Sequence, residues 1–189
     1  MIEVEAKARA PEDAEERILQ MGGVLDGVEN HTDIYFRSPV RDFASTDEAL
    51  RIRVKDDGVY LTYKGPKLDS KTKTRLELSI RVDDAVAAEK LLESLGFSRF
   101  AVVRKRRAKY RLGDAIVALD DVDGLGRFVE AEIPADRDNP TDRARVLEII
   151  SSVGVGRPIR LSYLELLEIA RSSAAASGNA GESPPKSEP

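Results

Sequence analysis

Glu3-Val4-Glu5-Ala6-Lys7 alternates charged and apolar residues with period two. Read as a strand, it places Glu3, Glu5 and Lys7 on one face and Ile2, Val4 and Ala6 on the other. Two carboxylates about 7 Å apart on one strand face repel each other unless they face water or share a cation. A metal ion would resolve the repulsion.

The same alternation returns along the chain. Strands are predicted over Val24 to Asp26 and His31 to Phe36, Leu50 to Val54, Val59 to Lys64, Thr74 to Val82, Phe100 to Leu112, Ile116 to Val122 and Arg127 to Ile133. Asp56-Asp57-Gly58 and Gly113-Asp114 read as hairpin turns. Helices are predicted after Pro11, from an Asp83 cap through Leu95, from Asn139-Pro140 towards Gly154, and from a Ser162 cap. Eight or so mostly antiparallel strands with helices between them make an α+β domain. Three segments, beginning at Glu3, Glu77 and Glu130, share a plan of strand, helix and glycine, which suggests an internal repeat. From Ser172 onward the sequence is poor in apolar residues, so the domain is expected over 1–171 and a disordered tail over 172–189.

Composition narrows the chemistry. The 189 residues carry 34 acids and 30 bases, a net charge of -4 that does not favour nucleic acid or an anionic membrane as partner. With no cysteine and one histidine, a metal would be held by oxygen or by the single His31, which points to a hard cation such as magnesium. No apolar run reaches the roughly 18 residues of a membrane span and no basic, apolar leader opens the chain, so a soluble cytoplasmic protein is expected.

An antiparallel sheet with one face in water would also show this alternation. The kind of charge argues for more. The polar faces carry Arg51, Arg53, Lys64, Arg75, Lys105 and Arg107 together with the acidic pairs Glu3/Glu5 and Glu130/Glu132. Guanidinium forks and ammonium groups suit phosphate oxygens. Magnesium takes few carboxylates and keeps waters, which matches short acidic pairs near Asp120. Closing such a sheet with its charged face inward would give a tunnel for a polyphosphate. His31 is expected at the surface or a strand end, and Asp33 and Tyr35 are expected to be structural.

These residues resemble the CYTH, or triphosphate tunnel metalloenzyme, superfamily. The resemblance rests on the ExExK run Glu3 to Lys7, Asp33-x-Tyr35-Phe36, Leu50-Arg51-Ile52-Arg53, Leu61-x-Tyr63-Lys64-Gly65-Pro66, Lys105-x-Arg107, Leu119 to Gly126, Phe128 to Glu132 and Ser162-Tyr163-x-Glu165-Leu166-Leu167. It implies an eight-stranded antiparallel closed barrel with helices outside, holding a triphosphate and one or two divalent cations, Mg2+ or Mn2+. By that resemblance Glu3, Glu5, Asp120, Glu130 and Glu132 are metal-binding. Lys7, Arg51, Arg53, Lys64, Lys105 and Arg107 are triphosphate-binding, joined by Arg75, which faces inward by alternation. Lys7, Arg53, Lys105 and Arg107 are the ones expected to act in turnover. The closing strand is most similar to the class IV adenylyl cyclase branch, which would convert ATP to cyclic AMP and pyrophosphate. A triphosphatase acting on thiamine triphosphate, inorganic triphosphate or a nucleotide is the alternative, and a non-catalytic polyphosphate binder the second. A nucleotide or other small triphosphate is the expected partner, and a homodimer is left open.

Overall fold

The computed structural model describes residues 2–67, 75–135 and 139–178, with side chains left out at Ile2, Glu3, Lys67, Ala135 and 174–178. Eight strands form the sheet: β1 (Ile2–Arg9), β2 (Val24–Arg37), β3 (Ala49–Lys55), β4 (Gly58–Lys67), β5 (Arg75–Val82), β6 (Ser98–Leu112), β7 (Ala115–Val122) and β8 (Gly126–Ala135). Four helices join them: α1 (Ala14–Gln20), α2 (Ala85–Ser94), α3 (Pro140–Val153) and α4 (Tyr163–Gly178).

The strands run antiparallel in the ring order β1-β5-β4-β3-β2-β6-β7-β8, closed by β8 against β1. The β1–β8 ladder is long, from Ile2↔Ala135 to Arg9↔Phe128. The β1–β5 seam is short, with only Ile2↔Leu76 and Glu3↔Arg75 in register. The barrel is therefore closed narrowly at that seam. The three strands that open the expected repeat, β8, β1 and β5, lie side by side in the ring, and each is followed by a helix.

Apolar residues bury against the helices in three clusters, two on the outward strand faces and one, beneath α4, on the inward faces at one end of the barrel. Beneath α1 and α3, Val4, Ala6 and Ala8 of β1, Val117 and Leu119 of β7 and Val129 and Ala131 of β8 meet Ile18, Val146, Ile149 and Val153. Beneath α4, Tyr35, Val103, Val122 and Phe128 meet Tyr163 and Leu167. Beneath α2, Ile34, Phe36, Leu50 and Ile52 meet Phe43 and Leu92.

Local chemistry sets the helix ends, with some shifts from the sequence reading. The cap of α2 is Asp84 rather than Asp83: its carboxylate accepts from the amides of Val86 and Ala87 at 2.7 and 3.0 Å. Asn139 caps α3 by accepting from the Thr141 amide, with Pro140 in the first turn. Ser162 and Glu165 form a reciprocal capping box at α4, with the Ser162 amide donating to Glu165 at 2.6 Å and the Glu165 amide to Ser162 at 3.1 Å. Gly96 ends the α2 segment at φ +88, a conformation that a Cβ would strain. Helix α4 continues past Arg171 to Gly178, and 179–189 lie outside the described residues.

One sequence expectation about packing fails on β5. Leu76, Leu78 and Ile80 form the apolar face that alternation gives this strand, the face that would pack on helices, yet they are 42, 54 and 60 % exposed. Helix α2 explains it: Leu92 turns towards β2 and β3, so nothing described covers the outer face of β5.

Candidate active site in the barrel interior

The inward faces of the strands surround a cavity of about 810 Å³. Lys7, Arg51, Arg53, Lys64, Arg75, Lys105 and Arg107 all line it, as do Glu5, Glu130 and Glu132. Alternation thus brings every predicted cation to one space, drawn from five of the eight strands. The Glu3 side chain lies outside the described residues, although its backbone sits in β1.

The cations are held by buried acids. Asp33, 2 % exposed, accepts from Arg53 Nε at 2.6 Å, Arg53 Nη2 at 2.7 Å and Arg51 Nη1 at 3.3 Å. Burial alone would raise its pKa, but the charges of Arg51 and Arg53 outweigh that and hold it below the usual carboxylate range. Asp120, 1 % exposed, accepts from Lys105 Nζ at 2.8 Å, Arg107 Nε at 2.7 Å, Arg107 Nη2 at 2.6 Å and the Tyr163 hydroxyl at 2.8 Å. Glu130 bonds Arg107 and lies 3.7 Å from Lys7 Nζ and 3.9 Å from Lys105 Nζ. Glu77 takes Lys64 at 2.5 Å and Arg51 at 3.8 Å.

Burial and the neighbouring Arg107 charge lower the pKa of Lys105, against the pull of Asp120 and Glu130. For Arg107 the order reverses, because Asp120 and Glu130 outweigh its burial and raise its pKa well above the usual value. Such a network fixes where each donor points. A guanidinium already oriented by a carboxylate loses less freedom when it grips a ligand.

Tyr163 enters the barrel from the first turn of α4. Its ring lies 3.9 Å from Lys7 Nζ and 4.9 Å from Lys105 Nζ, edge-on to Phe128 at 5.0 Å. Burial, then Glu130 and Asp120, push its pKa well above the ordinary 10, so the hydroxyl stays a donor. Sequence reasoning used Tyr163 only as part of the Ser162-Tyr163-x-Glu165-Leu166-Leu167 motif and assigned it no place in the cavity, because a tyrosine in a helical apolar stripe reads as core.

Strand β2 supplies more of the interior than expected. Glu29, His31, Asp33 and Tyr35 all line the cavity, as their shared odd spacing permits. His31 is a buried interior residue, 4 % exposed, rather than a surface one. Glu29 binds His31 Nε2 at 2.8 Å and Lys109 Nζ at 3.0 Å, with Lys55 at 3.8 Å. Burial pushes the Glu29 carboxyl up, but these partners win and leave it at about 2.

As a test of metal fit, no cluster of three or more acids or histidines spaced to hold an ion occurs among the described residues. Glu5 and Glu132 are direct cross-strand partners on β1 and β8, and both line the cavity. Two carboxylates, completed by waters and substrate phosphates, are the ordinary holding of magnesium. The residues fit on those terms.

A barrel whose interior is an ordered lattice of guanidinium, ammonium and carboxylate groups defines a class of tunnel proteins. The CYTH domain matches residues 1–157, and the chain belongs to that family. A protein of Methanocaldococcus jannaschii named as a candidate adenylate cyclase is 37 % identical over 172 residues, 88 % of this chain and 98 % of its own. A solved structure from Pyrococcus horikoshii shares 40 % identity at a TM-score of 0.83, covering 88 % of this chain and 98 % of that one. An adenylyl cyclase-like protein from Hippeastrum, whose reported dominant activity is that of a triphosphatase, shares the fold at TM-score 0.64 and 19 % identity, over 91 % of this chain and 95 % of that one.

Proposed function

We propose that this protein is a divalent-metal-dependent enzyme that binds a triphosphate inside the barrel and acts as a class IV adenylyl cyclase, turning ATP into cyclic AMP and pyrophosphate. The observation that carries the reading is the convergence of Lys7, Arg51, Arg53, Lys64, Arg75, Lys105 and Arg107 on one cavity, the arrangement that binding a chain of phosphates would require. The name of the archaeal relative supports the cyclase branch.

In this reading Arg53, Lys105 and Arg107 hold the phosphates, and the charge that develops on the departing pyrophosphate is taken up by donors already oriented by Asp33 and Asp120. Glu5 and Glu132, with Glu3, are the residues that would hold Mg2+ or Mn2+, which supplies Lewis-acid stabilisation of phosphoryl oxygens. Asp120 and Glu130 serve chiefly to position Lys105, Arg107 and Lys7. The mouth, where Pro39, Val40, Phe43 and Phe100 line the cavity, offers apolar surface to the base and sugar. The ribose hydroxyl attacks the α-phosphorus and the bond to the β-phosphate oxygen breaks.

The second reading is a triphosphatase, in which water attacks a terminal phosphorus. It is favoured by the interior itself, whose charged groups grip phosphate and leave base recognition to the mouth alone. Purified protein incubated with Mg2+ or Mn2+ and ATP, inorganic triphosphate or thiamine triphosphate, with products resolved chromatographically, tests both. Cyclic AMP with pyrophosphate is the expected outcome. Orthophosphate from any of the three would establish the triphosphatase instead, and no turnover with EDTA-insensitive binding would make the protein a binder.

A further inference from the structure

Among the groups lining the cavity, the chain's single histidine has no part in the scheme above. His31 sits on β2 directly across from Lys105 on β6. A carboxylate can only accept, so the 2.8 Å contact with Glu29 assigns the proton to Nε2 and leaves Nδ1 with a lone pair. Nδ1 is buried and has no hydrogen-bond partner among the described residues. A histidine that merely filled core would have both nitrogens satisfied.

The surroundings are charged on every side. On its own strand stand Glu29 and Asp33, on β3 Arg53 and Lys55, and on β6 Lys105, Arg107 and Lys109. Across the cavity are Glu5 and Lys7 of β1 and Glu130 and Glu132 of β8. Burial and the Arg53 charge, with Lys105 and Arg107, hold the imidazole pKa at about 4 against the opposing bond from Glu29. At neutral pH it is an uncharged ring among cations.

We propose that His31 is a polyphosphate-binding residue: it takes up a proton from solvent when a polyphosphate enters the barrel, and donates Nδ1–H to a phosphate oxygen. The proposal rests on the triphosphate reading of the cavity. A polyanion lying among Arg53, Lys105 and Arg107 offsets the positive charge that keeps His31 neutral. The imidazolium so formed keeps Glu29 at Nε2 and gains an acceptor at Nδ1, so both nitrogens are then bonded. The ligand class is a chain of linked phosphates, because a single phosphate carries too little charge to offset three cations.

With one histidine, its NMR signals need no assignment. The His31 resonance is titrated in the wild-type protein with and without saturating tripolyphosphate, and tripolyphosphate binding is measured calorimetrically in two buffers of different ionisation enthalpy at about pH 5.5. The midpoint is expected to rise by about two units or more on binding, to above the assay pH, a hundredfold gain in proton affinity, with net proton uptake that His31→Gln abolishes. Saturable binding with an unmoved midpoint and no uptake overturns the role of His31 and leaves the triphosphate reading standing. Failure of tripolyphosphate to bind overturns both. Because the titration uses the wild-type chain, the result does not depend on whether His31→Gln folds.

Discussion

Two walls of the barrel, β7–β8–β1 and β4–β5, are written in the same alternation, yet they are covered differently. On the first, Val117, Val129 and Val4 are fully buried beneath α1 and α3. On the second, Leu78 and Ile80 are more than half exposed. Inside, both walls present charge to the same cavity. Alternation therefore specifies which face looks into the barrel, while the face that looks out depends on where the connecting helices land.

The largest contrast should come from the charge lattice behind the covered wall. Arg107→Ala removes the cation shared by Asp120 and Glu130, leaving two buried acids short of a partner, at an expected cost of about 3–5 kcal/mol. Urea unfolding reads the loss, and tripolyphosphate calorimetry should show binding lost with it. A stable variant that still binds would mean that the lattice contributes to neither.

Apolar truncation separates the walls more directly. Ile149→Ala, at a fully buried site beneath the first wall, should cost about 2–5 kcal/mol. Ile80→Ala on β5 should cost well under about 1 kcal/mol, as surface changes do. Equal shifts in the unfolding midpoint would show that β5 is covered in solution.

The smallest effect lies on β2, between the two walls. His31 has a folded pKa of about 4 against an ordinary 6.5, so the unfolded chain binds the proton more readily. Its contribution to stability is complete above 6.5 and is lost as pH falls towards 4. The ligand-free melting temperature should decline across that window, and His31→Gln should flatten the decline. Glu29 and Asp33, whose ordinary values are 4.5 and 3.8, lose their contributions as pH falls below those values and leave only the upper part of the window clear.

Much of this was legible in the sequence because strand alternation is a local rule. Glu5, Lys7, Arg51, Arg53 and Lys105 could be assigned to one face each without knowing the fold, and the caps at Asn139 and Ser162 follow from side chains competing for nearby amides. What alternation does not carry is which strands meet. That Asp33 would clasp Arg53, or Asp120 clasp Arg107, follows from the registers of β2 with β3 and β6 with β7. Tyr163 was hidden for a related reason: a helix periodicity gives a buried side but not what lies beneath it. The exposed face of β5 is the converse case, an apolar pattern without its helix.

The ladder between β1 and β8 has a consequence for how the protein comes into being. Its partners, such as Glu5 and Glu132, stand 127 residues apart in the sequence. Pairings of that span are the last and slowest to form, since the chain must give up the freedom of everything between them first. A ribosome-bound chain that has not yet released β8 has no wall opposite Lys7 and no partner for Glu5. The enclosed cavity therefore does not accumulate strand by strand but arrives at once, when β8 pairs with β1.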